Sequence, residues 1–233
     1  MFAYELAVEH KALFVVLEHR YYGDSQPFPD WSLENLRHLT VDNALADIAV
    51  FIDQTTHDIQ QRYGGPHRKW VVVGGSYPGA MSAWFRYKYP HLAVGSLASS
   101  AVVHAITDYQ MFDWQIANST MKSGFECTQF LKNVTVYIDA VFAEGNETKI
   151  SAIKETMGAH KDMINGDFMF YVADTFVMGV QYGSRTLMCE HFKENNSMDM
   201  MANLHMVGHW ASNEGVYAID YCSKNLRNTT IDV

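Results

Sequence analysis

Hydrophobic positions in the first hundred residues switch repeatedly between two spacings. Residues 12–18, ALFVVLE, form a short run rich in β-favouring side chains, and the turn-rich segment HRYYGDSQPFPD follows; this predicts a buried strand and then a loop. From Val41 to about Tyr63, Leu45, Ile48, Ile52 and Ile59 recur at helical spacing among Asp47, Gln54, Asp58 and Gln61, which predicts an amphipathic helix. Gly64-Gly65-Pro66 stops it. KWVVVGG then predicts a second buried strand, SYPGAMSAWFRYKYP a second helix and AVGSLASSAV a third strand. Strand, helix, strand, helix, strand is the order of an α/β fold, a parallel sheet covered by helices.

After about Ala105 the texture changes. Segments around 127–143, 148–164, 168–182 and 197–211 have lengths and spacings that suit helices. The expected organisation is therefore a partial α/β domain over residues 1–105 and a mostly helical unit over 106–233, a cap or insertion over the sheet domain. Internal repeats and low-complexity stretches are absent from the sequence.

Composition narrows the partners. With 48% apolar and 18% charged residues the chain can bury a core, and its formal charge of −9 argues against a nucleic acid or an anionic membrane surface. No apolar run approaches the length of about 18 residues needed to span a membrane. The opening MFAYELAVEH does not show the basic, apolar and small-residue succession of a signal peptide. The second half nevertheless carries five N-x-[ST] acceptor sites, at Asn118, Asn133, Asn146, Asn195 and Asn228, where about one would arise by chance. These predict glycosylation and passage through the secretory pathway. The three cysteines, Cys127, Cys189 and Cys222, lie in the same half and agree with that route. Their odd number leaves at least one without a partner within the sequence, and their connectivity is open.

The chemistry-bearing stretch runs from Val71 to Ala83. A strand ending Gly74-Gly75-Ser76 and passing straight into Tyr77-Pro78-Gly79 and a helix of small residues meets the requirements of a nucleophile elbow. The serine must sit on a strained turn with its oxygen above the sheet, and side chains two places on either side would collide where strand and helix approach. Gly74 meets that need. Pro78 occupies the second position, with Gly79 one place later, but proline is acceptable in a first helical turn because its missing N–H would have no partner there. A glycine-lined turn without chemistry is the plainer alternative. A phosphate-binding turn is disfavoured because no Lys-[ST] follows.

Three ordered motifs carry a resemblance. Glu18-His19-Arg20-Tyr21-Tyr22-Gly23-Asp24-Ser25-Gln26-Pro27-Phe28, then Asn43-Ala44-Leu45-Ala46-Asp47-Ile48-Ala49, then Gly74 to Gly79 with Ala83-Trp84-Phe85-Arg86 and Lys88-Tyr89-Pro90-His91-Leu92, resemble the serine peptidase family of lysosomal Pro-X carboxypeptidase, dipeptidyl peptidase II and thymus-specific serine protease. Val180-Gln181-Tyr182-Gly183 with Leu187-Met188-Cys189 resembles the thymus-specific branch, in which proline at the place of Pro78 is also familiar. The resemblance covers most of residues 1–190. It implies an α/β-hydrolase fold with a helical insertion, a lysosomal or secreted glycoprotein, a peptide substrate cleaved next to proline, and a possible homodimer. Ser76 would attack the scissile carbonyl, and the backbone N–H of Tyr77 would be one oxyanion donor. The chemistry calls for no cofactor and no metal. The family's catalytic Asp and His follow the insertion and neither motif occurs here, so the sequence is expected to begin and end inside a longer hydrolase.

Other candidates weigh less. His104, past the third strand, stands in the wrong chain order for the base. His205 and His209 have zinc-compatible i, i+4 spacing, but Met206, Val207 and Gly208 stand between them and the His-Glu-x-x-His base is missing. His19 is read as ordering the junction before the loop, Asp24 and Ser25 as a capped turn, and Met198, Met200, Met201 and Met206 as adaptable packing. The leading reading is a post-proline serine exopeptidase. A catalytically incomplete glycoprotein that binds without turnover is the alternative, and an esterase on the same fold a third.

Overall fold

The computed structural model describes residues 2–218, which form two compact units that divide between Thr107 and Asp108. The first unit opens with α1 (Phe2–Glu9), which has no buried residue, and an irregular stretch to residue 32. The short α2 (Leu33–Leu36) and the long α3 (Val41–Tyr63) follow. Thr40 caps α3 by accepting the Asn43 N–H on its side-chain oxygen, and Gly64, at φ 61°, ends it. β1 (Val71–Gly75), α4 (Tyr77–Lys88) and β2 (Gly95–Ser99) make a strand–helix–strand unit. The two strands are parallel, with Val71 opposite Gly95 and Gly75 opposite Ser99.

The core of this unit lies on one side of the sheet. Ala44, Leu45, Ala49 and Ile52 of α3 meet Met81 and Phe85 of α4, with Val72 and Trp70 packed against them. Trp70 completes the contact polar-end first, its indole N–H donating to Thr56 Oγ1 at 2.8 Å. Val71 and Val73, whose side chains alternate to the opposite side, are 58% and 44% exposed.

Residues 12–18 correct the sequence expectation. They form no strand ladder among the described residues, and Leu13 and Val16 are 67% and 75% exposed. Apolar, β-branched composition favours a strand only where a neighbour supplies the hydrogen bonds, and here β1 and β2 pair with each other instead. The observed parallel sheet among the described residues therefore has two strands, where the hydropathy pattern suggested three.

Among the described residues, the second unit contains helices and no strand. α5 (Gln110–Met121), α6 (Phe125–Glu144), α7 (Glu147–Thr156), α8 (Asn165–Gln181), α9 (Arg185–Glu194) and α10 (Met200–Asn213) surround one apolar core. Fully buried Phe168, Tyr171, Phe192, Ile138, Ile150 and Leu204 fill it. Phe130 stacks on Phe192 with ring centres 4.8 Å apart, and Cys127 of α6 is bonded to Cys189 of α9. Lys154 is also inside, 3% exposed, donating from Nζ to the Met163 carbonyl at 2.6 Å and Asn165 Oδ1 at 2.7 Å. Burial pulls its pKa below the ordinary lysine value, and the two acceptors compensate the ammonium's lost hydration. Met200, Met201 and Met206 pack against the core as expected, whereas Met198 is wholly exposed. Among the described residues, no helix is long and apolar enough to cross a membrane.

Candidate active site

Ser76 stands at the turn between β1 and α4 with φ 58° and ψ −125°, a backbone conformation that L residues rarely adopt. Its N–H donates to the Ser99 carbonyl at 2.9 Å and its own carbonyl accepts from Ala80 N–H at 3.0 Å, so the strained residue is pinned from both β2 and α4. The side chain is exposed and makes no capping bond to α4.

Glycine is required on both sides of this turn, though at positions shifted from the simple spacing. A Cβ on Gly74 would lie 2.1 Å from the Pro78 carbonyl oxygen, and one on Gly79 would lie 2.6 Å from the Ser99 carbonyl oxygen. These are backbone atoms that cannot swing away. Pro78 can therefore occupy the place two residues after Ser76, because the close approach to β2 is made by Gly79. A Cβ on Gly75 would meet nothing nearer than 3.9 Å.

Tyr77 is the first residue of α4, where the helix supplies no acceptor for its N–H. That N–H stands beside Ser76 at the positive end of the helix dipole, where negative charge is favoured. The phenol of Tyr77 is within 3.0 Å of His19 Nε2 and its ring centre is 5.7 Å from the imidazole. Burial, with a smaller contribution from Tyr22, raises its pKa above the ordinary tyrosine value.

The segment that brings His19 there is braced from α3. Arg20 donates to Asp47 through Nε and a terminal nitrogen, both at 2.6 Å, and to the carbonyls of His38 and Asn43. The two-pronged bond to the carboxylate raises the guanidinium pKa further. Beyond it, Ser25 N–H donates to Glu18 Oε2 at 2.8 Å and Tyr21 N–H to the Ser25 carbonyl at 2.8 Å, a closed turn. The Ser25 hydroxyl and N–H hold the Glu18 carboxyl below its usual value.

His104 is exposed beyond β2 and is not hydrogen-bonded to Ser76. His205 and His209 are exposed on α10, and Asn213 is the hydrogen-bond neighbour of His209. Among the described residues, no three His, Cys, Asp or Glu side chains gather where they could hold a metal. Of the acceptor asparagines, Asn118, Asn133, Asn146 and Asn195 are exposed, and Asn228 lies outside the described residues, as does Cys222. Asn146 caps α7 through Oδ1, leaving its amide nitrogen available to a glycan.

Residues 2–230 match the sequence profile of the family described as serine carboxypeptidase S28. The chain belongs to that family. It is 36% identical over 234 residues to the protein named "Probable serine protease EDA2" of Arabidopsis thaliana, a match covering 97% of this chain and 46% of that protein. It is 40% identical over 134 residues to human lysosomal Pro-X carboxypeptidase, covering 55% of this chain and 26% of the relative. To the Caenorhabditis elegans protein named prolyl carboxy peptidase like protein 5 it is 38% identical over 131 residues, 53% of this chain and 25% of the relative. The S28 chain thus spans about half the length, or less, of these curated relatives.

The long-range contact from His19 to Tyr77 is what reading along the sequence missed. The Glu-His-Arg triplet was visible, but nothing in residues 18–20 indicates a partner 58 positions away. The disulfide is similar: three cysteines were evident, and only the packing of α6 on α9 selects Cys127 with Cys189.

Proposed function

We propose that this S28 chain carries the nucleophile and part of the substrate site of a serine-type exopeptidase that cleaves peptide bonds next to proline. The observation that carries the proposal is Ser76 itself, an exposed hydroxyl on a residue at φ 58°, braced between β2 and α4 with a first-turn N–H beside it. In this reading Ser76 Oγ attacks the scissile carbonyl as a histidine takes its proton, the C–N bond breaks as that proton passes to the leaving amine, and water then hydrolyses the acyl-serine ester to release the acid and restore the hydroxyl. Tyr77 N–H donates to the oxygen that becomes negative. In this reading the helical unit serves as the cap or insertion of the sheet domain. Preference for proline is drawn from the Pro-X carboxypeptidase relatives. The exposed Asn118, Asn133, Asn146 and Asn195 support N-glycosylation, and with it a lysosomal or secreted setting, as the name of the human relative suggests.

A fluorophosphonate probe tests the nucleophile. Labelling of the wild-type chain that disappears in Ser76→Ala supports it, and a folded chain that resists labelling favours the catalytically incomplete glycoprotein. Peptides with and without proline at the cleaved bond then test specificity; equal turnover of simple esters and no gain from proline would point to an esterase.

A further inference from the structure

We infer that His19 is a positioning residue for the elbow, holding the Tyr77 ring and thereby the backbone N–H next to Ser76; the inference rests on Ser76 being the nucleophile. His19 Nδ1 is 2.7 Å from the Arg20 carbonyl oxygen. A carbonyl can only accept, so the neutral imidazole carries its proton on Nδ1. Nε2 is then a lone pair, and at 3.0 Å it accepts the Tyr77 hydroxyl. One bond fixes the tautomer that the other requires.

The direction of bracing gives this pair its role. Arg20 is tied by the Asp47 carboxylate and by the His38 and Asn43 carbonyls to α3 and the turn before it. The imidazole is further flanked by Tyr22, ring centres 5.2 Å apart at 82°. His19 thus transmits the position of α3, a long helix in the core, to the first residue of α4. Tyr77 is where such support has leverage: the preceding residue is in a strained conformation, and strain of this kind persists only where the surroundings over-determine it. From the β2 side the turn is held by Ser76 N–H to Ser99. From the loop side it is held by His19.

The test compares wild type, His19→Ala, His19→Gln, Tyr77→Phe and the double variant His19→Ala, Tyr77→Phe, all in the 233-residue chain. The readouts are the rate of fluorophosphonate labelling at Ser76 and the melting temperature. His19→Ala and Tyr77→Phe are each expected to label about tenfold more slowly while still folded, as removal of one hydrogen bond from a preorganised site does. The double variant is expected to be no slower than the slower single, because both remove the same bond. His19→Gln, whose amide oxygen can accept the phenol proton, is expected to recover most of the rate. Folded variants that all label within about twofold of wild type would overturn the inference. Imidazole nitrogen shifts by NMR give a readout independent of a reactive serine. Nδ1 should be protonated and Nε2 unprotonated, with Nε2 moving in Tyr77→Phe and staying in Ser76→Ala. A protonated Nε2, or one indifferent to Tyr77→Phe, overturns the inference even in a chain that labels. A wild-type chain that does not label but shows the expected shifts favours the catalytically incomplete glycoprotein and supports the His19 to Tyr77 hold.

Discussion

The sheet unit and the helical unit solve the problem of burial differently. In residues 108–218 the apolar faces of the helices close on one shared core, and Cys127 to Cys189 ties two of them together. In residues 2–107 the core occupies one side of a two-stranded sheet, while Val71, Val73 and the 12–18 segment stay exposed. The unit with the smaller core is the one that carries the strained serine. The conformation of Ser76 is maintained by its backbone bonds to Ser99 and Ala80 and by steric exclusion at Gly74 and Gly79, and does not need a core as large as that of the helical unit.

The largest expected effect lies in the helical unit. Replacing Cys127 and Cys189 by serine opens a crosslink between residues 62 apart, which by loop entropy should remove ~4 kcal/mol. Amide exchange should accelerate through residues 125–213 and far less through 41–99; equal acceleration in both would break the contrast between the units. Next is the response to alkali. Burial pushes the Tyr171 pKa up to about 12, and its hydroxyl donates to the Met157 carbonyl. A phenol whose folded pKa is raised contributes stability fully below its ordinary value of 10.0, and that stability is lost as pH rises toward 12. The loss should approach ~3 kcal/mol, read as a falling urea midpoint that is flattened in Tyr171→Phe.

At the elbow, Gly74→Ala forces a methyl onto the Pro78 carbonyl and should destabilise the sheet unit by ~1–3 kcal/mol, with loss of probe labelling. Gly75→Ala, whose methyl would make only ordinary van der Waals contact with the Ser99 carbonyl at 3.9 Å, should leave both nearly unchanged; a similar loss in the two variants would show that steric exclusion is not what shapes the turn. The smallest effect is expected from Asp47→Asn, which keeps one acceptor for Arg20 but removes the charge. About 1 kcal/mol is the scale for a pair whose side chains are 20% and 43% exposed, measured by urea unfolding at low salt.

Much of the fold was legible because periodicity reports burial within a single element. Leu45 and Ile52, spaced seven apart, marked α3 to its observed ends, and VVVGG bounded by a tryptophan and a serine marked β1. α5 and α9 were not anticipated. Exposed Trp114, Met111 and Leu187 blur the apolar stripe of both helices, so their patterns carry little periodic signal. The expected helix over 148–164 stops instead after Thr156, where Met157 and Gly158 leave the helical conformation. The tight turn at Ser76 was legible for a different reason: its steric demand falls on residues within three places of the serine, so Gly74 and Gly79 record it directly.

By itself the sequence determined what is local: which segments alternate or repeat at helical spacing, where a serine can stand on a tight strand-to-helix turn, and that the chain has the motifs of the S28 peptidases. Tertiary structure alone decided which distant groups meet. It left 12–18 without a strand partner among the described residues, joined Cys127 to Cys189, buried Lys154 beside the Met163 carbonyl and set His19 against Tyr77. Spacing along the chain encodes the direction of a side chain relative to its own element. Contact across dozens of residues depends on how whole elements pack, and that is fixed only when their faces are buried together.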